Sequence, residues 1–289
     1  MNRKLSVILG ILILLAVIHH FIKNSSSGIK PFANIKAARV IEVENMASKD
    51  KFCLIKSPAG WEIITSTNYP ADSRRAESLA NEIKNLKFET VISFSENKRF
   101  EHELSSAAAV KVSAGAFFAG KKMVSVLVGK RAFDRNHFYA GFENDKKSYL
   151  AGGLRRELLL SPAEYYRNRR ISKVAEEDAA VLKIKSGKKI YEVSRSTSGW
   201  NFQGPAMDDF YKAMSYCLNM GASDFYDTNF VPAYTIEITK KDGATVTWEF
   251  GEAEKNKFCA RVPSSNGGYM ISTEKAAAII KFFQKHASK

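Results

Sequence analysis

Cysteine is scarce in this chain, with three among 289 residues, Cys53, Cys217 and Cys259. They are too few and too scattered for a disulfide framework, and an odd count leaves at least one thiol unpaired. Histidine is nearly as rare. The five are His19, His20, His102, His137 and His286, and beyond the apolar N-terminal segment none stands at ligand spacing from another His or Cys, so neither metal nor cofactor is expected. Low-complexity sequence is missing too, and a hydrophobic content of 45% supplies enough apolar material for one or two ordinary cores. Acidic residues are in deficit, 30 Asp and Glu against 44 Lys and Arg. Such an excess points to a polyanionic partner, or to a surface kept soluble by its charge.

Long hydrophobic runs are limited to one. Leu5 to Ile22 is apolar apart from Ser6, Gly10, His19 and His20, and at about 1.5 Å per residue a helix there nearly crosses a hydrocarbon core of roughly 30 Å. A cleaved signal peptide is the rival, since Val7–Ile18 has the length of a signal h-region. The small-residue site Ser25-Ser26-Ser27 lies far behind the run, which favours an uncleaved span. Arg3-Lys4 before it places the N-terminus in the cytoplasm and the rest of the chain outside the cell membrane. The expectation is therefore a single-pass protein held in the bilayer through residues 5–22, with no nucleic-acid partner. Asn24 to Gly28 reads as a flexible tether, and residues 1–30 as transmembrane helix plus linker.

What the chain does contain is a repeat. Gly60-Trp61-Glu62-Ile63 returns as Gly199-Trp200-Asn201-Phe202, Pro70-Ala71 as Pro205-Ala206, Phe138-Tyr139-Ala140 as Phe258-Cys259-Ala260, and Tyr149-Leu150 as Tyr269-Met270. Gly129 and Gly251 close matching apolar stretches. The order is kept while the offset shrinks, as in a duplicated unit whose second copy has lost loop residues. Each copy reads as strands, an amphipathic helix, more strands and a closing helix. Val181-Leu182-Lys183-Ile184 alternates as a half-buried strand. Ala76, Leu79, Ile83 and Leu86 fall at helical spacing after Asp72, with Tyr211, Met214 and Leu218 as the counterpart stripe. The predicted fold class is α+β, an N-terminal transmembrane helix followed by two homologous repeats, 31–171 and 172–289, each an antiparallel sheet with two packed helices. Both repeated tryptophans read as core anchors.

Fragments of catalytic motifs do not assemble. Gly115 to Lys121 has phosphate-loop spacing, but Lys122 stands where a Ser or Thr is needed and a strand follows, so a hairpin turn is expected. Ser95-x-x-Lys98 and Lys185-Ser186-Gly187 have the look of serine acyl-transferase pieces, yet Ser264-Ser265-Asn266 comes in the wrong order. No catalytic activity is expected. Gly129 and Gly251 read as turn glycines.

The succession Gly60-Trp61-Glu62-Ile63, Tyr69-Pro70-Ala71-Asp72, Val126-Leu127-Val128-Gly129-Lys130, Phe138-Tyr139-Ala140, Tyr149-Leu150 and Tyr166-Arg167-Asn168-Arg169-Arg170 behind an N-terminal apolar run resembles the duplicated domain of unknown function in membrane-anchored proteins associated with gliding-motility-type ABC transporters. The resemblance spans about residues 36 to 286. It implies a non-catalytic, extracytoplasmic accessory or scaffold protein of a transport or envelope assembly, with a membrane transporter or other envelope protein as partner. Copy two departs from the pattern, with Pro205-Ala206-Met207-Asp208 shifting the acid and no arginine-rich segment after its last helix. An alternative is a solute- or glycan-binding module using the basic surface. One segment is a candidate partner site: Tyr165, Tyr166, Arg167, Arg169 and Arg170, with Arg155 and Arg156 just before it. Arginine and tyrosine serve contact hot spots, and the same arginines equally suit a structural joint at a helix end.

Overall fold

The computed structural model describes residues 28–33, 38–105, 107–116, 123–202, 207–226, 230–263 and 267–287. The chain divides into two compact units, one drawn from Met1–Ala59 and Arg74–Ala163 and the other from Gly60–Ser73 and Glu164–Lys289. Gly60–Ser73 thus falls with the C-terminal unit.

The strands, in chain order, are β1 (Val40–Asn45), β2 (Lys51–Ser57), β3 (Gly60–Ile64), β4 (Asn68–Pro70), β5 (Lys87–Ser93), β6 (Val110–Gly115), β7 (Val124–Arg131), β8 (Phe138–Gly141) and β9 (Ser148–Gly152). They continue as β10 (Ala179–Ser186), β11 (Lys189–Ser196), β12 (Gly199–Trp200), β13 (Asp224–Tyr226), β14 (Tyr234–Lys240), β15 (Thr245–Glu254), β16 (Lys257–Arg261) and β17 (Gly268–Ile271). The helices are α1 (Ser73–Asn85), α2 (Glu96–Glu101), α3 (Arg156–Leu160), α4 (Ala163–Tyr166), α5 (Met207–Leu218) and α6 (Thr273–His286).

In the first unit the sheet runs β2-β1-β6-β7-β8-β9-β5, and in the second β11-β10-β14-β15-β16-β17-β13 with β12 beyond β11. All neighbours pair antiparallel. The correspondence holds residue by residue. Phe138, Tyr139 and Ala140 face Ala151, Leu150 and Tyr149 across β8–β9, and Phe258, Cys259 and Ala260 face Ile271, Met270 and Tyr269 across β16–β17. Since side chains alternate between faces, shared register sends the same positions to the core in both units. Val128, Ala140 and Tyr149 are buried in one, Phe250, Ala260 and Tyr269 in the other. Trp61 and Trp200, 4% and 7% exposed, each follow a glycine at positive φ, 131° at Gly60 and 125° at Gly199, which only glycine adopts without strain. The second member of the Pro70-Ala71 and Pro205-Ala206 pair lies outside the described residues.

Helices cover the apolar faces as their patterns require. α1 buries Ala76, Leu79, Ala80 and Ile83, where each large aliphatic side chain contributes on the order of 2 kcal/mol. In the second unit α5 and α6 lie together, with the Phe210 and Phe282 rings 5.8 Å apart and Phe202 stacked on Phe210 at 4.6 Å.

Three expectations are corrected. The fold is mostly β, since 43% of the described residues are strand and 24% helix, rather than α+β with two packed helices per repeat. The closing helix of copy one, expected from Gly153 to Leu160 with a break and a new start at Pro162, is two short pieces, α3 and α4, since Pro162 lacks the N–H that a continuous helix needs and clashes with the preceding turn. Among the described residues no helix is long and apolar enough to cross a membrane. The single-pass arrangement and the localisation built on it find no support there, and the segment Leu5–Ile22 on which they rested lies outside the described residues. Gly129 and Gly251 also differ from expectation, sitting inside β7 and β15 rather than in turns.

Candidate functional site

The Tyr165–Arg170 segment belongs to the second unit. α4 ends at Tyr166, and the chain after it pairs with the stretch after β4. Asp72 N–H donates to the Tyr166 carbonyl at 2.7 Å, Asn168 N–H donates to the Pro70 carbonyl at 2.8 Å, and Ala71 bridges Arg167. This short ladder fixes where alternate side chains point.

Arg167 points inward and is 4% exposed. Its guanidinium carbon lies 4.1 Å from the Tyr69 ring centre and 5.0 Å from that of Phe225. Nη2 donates to Thr65 Oγ1 at 3.3 Å and stands 3.8 Å from the Glu164 carboxylate. The two ring faces and the carboxylate offset the cost of desolvating the cation. Tyr69 meets Phe225 and Tyr269 edge-on at 5.4 and 5.8 Å, and its hydroxyl donates to the Gly268 carbonyl at 3.3 Å. A Cβ on Gly267 would fall 2.0 Å from Tyr69 Cζ, so bare backbone is what lets the phenol in.

The rest of the segment divides by burial. Tyr166 is fully buried and its ring meets Tyr165 edge-on at 5.1 Å, while Tyr165 is 37% exposed. Arg169 is exposed, donates from Nη1 to the Ser223 carbonyl at 2.7 Å and lies 5.1 Å from the Phe225 ring. Arg170 is exposed, with its backbone bridged to Gly221. Ser172 then ties the chain to α5, donating to the Cys217 carbonyl and accepting from Met220 N–H. Arg155 and Arg156 do not join this group. Arg155 Nε donates to Glu82 at 2.7 Å and Arg156 Nε to the Gly129 carbonyl at 2.5 Å, both within the first unit. The geometry is that of a cation sealed among aromatic rings, with Tyr165, Arg169 and Arg170 left at the surface.

The motif fragments resolve into structure. β6 and β7 pair antiparallel with Ala114 opposite Val124, so a strand follows the stretch with phosphate-loop spacing, whose residues 117–121 lie outside the described residues. Lys98 pairs with Glu101 at 2.6 Å and Lys185 with Glu237 at 2.5 Å, leaving both ammonium groups neutralised beside carboxylates. Burial pushes the Cys53 and Cys259 thiols up to about 11 and raises Cys217 further. A thiol held that high supplies no thiolate nucleophile near neutral pH.

One surface was not visible from motifs. On the first unit the outer face of the sheet, which carries Leu127 and Tyr139, is packed by Leu104 and Ala109 from the stretch after α2. His102 stacks on Tyr139 at 4.0 Å. Arg99, buried at 8% exposure, ties this stretch down by donating to the carbonyls of Leu104, Phe142 and Lys147. Around it Phe94, Phe100 and Phe133 are 70%, 72% and 102% exposed. The available signal was composition, three phenylalanines among polar residues, Phe94 and Phe133 in loops and Phe100 in α2, that no stripe accounts for.

Fold and site together define a duplicated antiparallel-sheet protein with a cation-and-aromatic joint in its second unit. The chain belongs to the family described as a domain of unknown function, DUF4340, which matches over residues 61–255, more than half its length. No curated protein matches it, and no solved structure does.

Proposed function

We propose that this chain is a non-catalytic binding and scaffold protein, an auxiliary component of an ABC-type transport assembly of the gliding-motility kind. The observation that carries the reading is the pair of sheets with one strand order and one register, elaborated differently on their surfaces. A duplicated scaffold offers two faces of like shape, and divergence of one face is how such a protein gains a partner without changing its core. The family resemblance supplies the transport context. Tyr165, Arg169 and Arg170 are the surface part of the candidate contact segment, and Arg167 and Tyr166 support it from inside.

The test is affinity capture of the tagged full chain after brief chemical crosslinking in its own cells, quantified by mass spectrometry. Permease and ATPase subunits enriched over a tag-only control are the expected result. Enrichment of no transport component overturns the proposal.

A further inference from the structure

The two units differ on the outer face of the sheet, and the second serves as a control for the first. Where β7 and β8 set Leu127 opposite Gly141, β15 and β16 set Glu249 opposite Arg261, paired at 2.7 Å. At this register position one outer face is apolar and the other charged, while the β1–β6 end of the first face also carries ions, Lys51 with Glu42 and Lys111 with Glu143. In the first unit this face opens into a cleft of about 560 Å³ whose walls include Ile92, Lys98, His102, Phe133, Tyr139 and Leu150.

The cleft adjoins a sheet edge. β5 is the last strand of its sheet, and its free side already accepts an extended segment, since Phe88 N–H donates to the Ile29 carbonyl at 2.8 Å in an antiparallel bridge. Further along, Thr90-Val91-Ile92-Ser93 pairs only with β9 among the described residues. Edge strands are ordinarily kept short, charged or proline-bearing because their open N–H and C=O groups recruit other strands. The matching edge strand β13 has three residues, whereas β5 has seven, and Thr90 to Phe94 carries neither charge nor proline.

Charge selects the occupant. Residues 28–59 and 74–163 hold 22 Lys and Arg against 13 Asp and Glu, while 60–73 and 164–289 hold 19 against 17. The acids nearest the cleft are engaged, Glu101 by Lys98 and Asp134 by His137. Cations flank it: Lys147 Nζ lies 5.9 Å over the Phe94 ring, Lys130 N–H donates to the His102 carbonyl, and Arg135 is exposed two residues past Phe133.

We propose that the edge of β5 over Thr90 to Ser93, which pairs on one side only among the described residues, and the cleft beside it dock an extended, acidic segment of a partner protein, which adds to the sheet as a strand and seats an apolar side chain between Ile92 and Phe133. Main-chain pairing gives such a complex its affinity, and the cleft and the cations give it specificity. The inference rests on the binding-protein reading above.

A fluorescein-labelled peptide alternating valine and glutamate, titrated with the full chain and read by anisotropy, tests it. The peptide should bind, and the double variant Ile92→Asp with Phe133→Ser should weaken binding by about tenfold or more, as should a peptide with lysine for glutamate or with a central proline. If that variant loses its thermal transition, Arg135→Glu with Lys147→Glu, the first exposed and the second half-buried, carries the same expectation. Equal binding of the lysine peptide, or an affinity unmoved by either double variant, overturns the proposal. So does a chain that instead sediments with phosphatidylglycerol vesicles, or self-associates, through Ile92 and Phe133 without taking the peptide. Transport subunits captured equally by the double variant would remove this docking site and leave the binding-protein reading standing.

Discussion

Arg167 and Arg170 are three residues apart and expected to behave oppositely. Replacing Arg167 with Ser empties the space between Tyr69 and Phe225 and strips Thr65 of a donor, which should cost about 2–4 kcal/mol, since breaking a buried cation's contacts is among the larger single-residue effects. Arg170→Ser, at an exposed side chain, should stay within about 0.5 kcal/mol. Urea unfolding of the two variants side by side checks this, and equal midpoints would contradict it. His137 makes a second prediction. Its Nδ1 is hydrogen-bonded to Asp134 and its Nε2 lies 3.2 Å from Glu89, and chiefly the Asp134 bond raises its pKa above the ordinary 6.5. A folded-state pKa above the unfolded one means the stabilisation is complete below about 6.5 and disappears as pH rises through the raised value. The gap in urea midpoint between the native chain and His137→Gln should therefore be wider at pH ~5.5 than at pH ~9. A gap that widened toward alkaline pH would refute the assignment.

At the scale of the element, two glycines show why a repeated residue was legible while its role was not. Gly129 and Gly251 occupy equivalent strand positions, each after the residue that faces Ala140 or Ala260. Their backbone is not in the left-handed region. A Cβ on Gly129 would lie 2.0 Å from the His102 carbonyl oxygen, and on Gly251 2.6 Å from that of Val231. Both glycines make room for a loop crossing the strand, a contact between residues far apart in sequence that no local pattern encodes. Alanine at either site should cost about 1–3 kcal/mol through overpacking, read as a lower midpoint in thermal denaturation. Alanine variants as stable as the native chain would show that the loops yield. β5 escaped notice for a related reason. It starts directly after α1 with no turn residue between, and two register irregularities against β9 break the alternation by which a strand is recognised.

For the whole molecule, the duplication was visible because core-facing aromatic and glycine positions recur in one order, and register turns that order into geometry. Helix content was overestimated because an interrupted pattern such as Gly153 to Leu160 keeps helical spacing even where Pro162 cuts it short. The Tyr165–Arg170 segment was found from composition, but burial, which only the fold sets, separates its inner residues from its outer ones. The cleft beside β5 was illegible because it joins β5, the stretch after α2 and the β7–β8 hairpin. The central claim is that one of two like units has become the binding unit. Amide hydrogen exchange of the full chain, with and without saturating valine–glutamate peptide, tests it most directly. Added protection confined to residues 90–94 with 98–104 and 132–137, and none on β13 or β17, is the predicted result. Protection spread evenly over both sheets, or confined to the second unit, would contradict it.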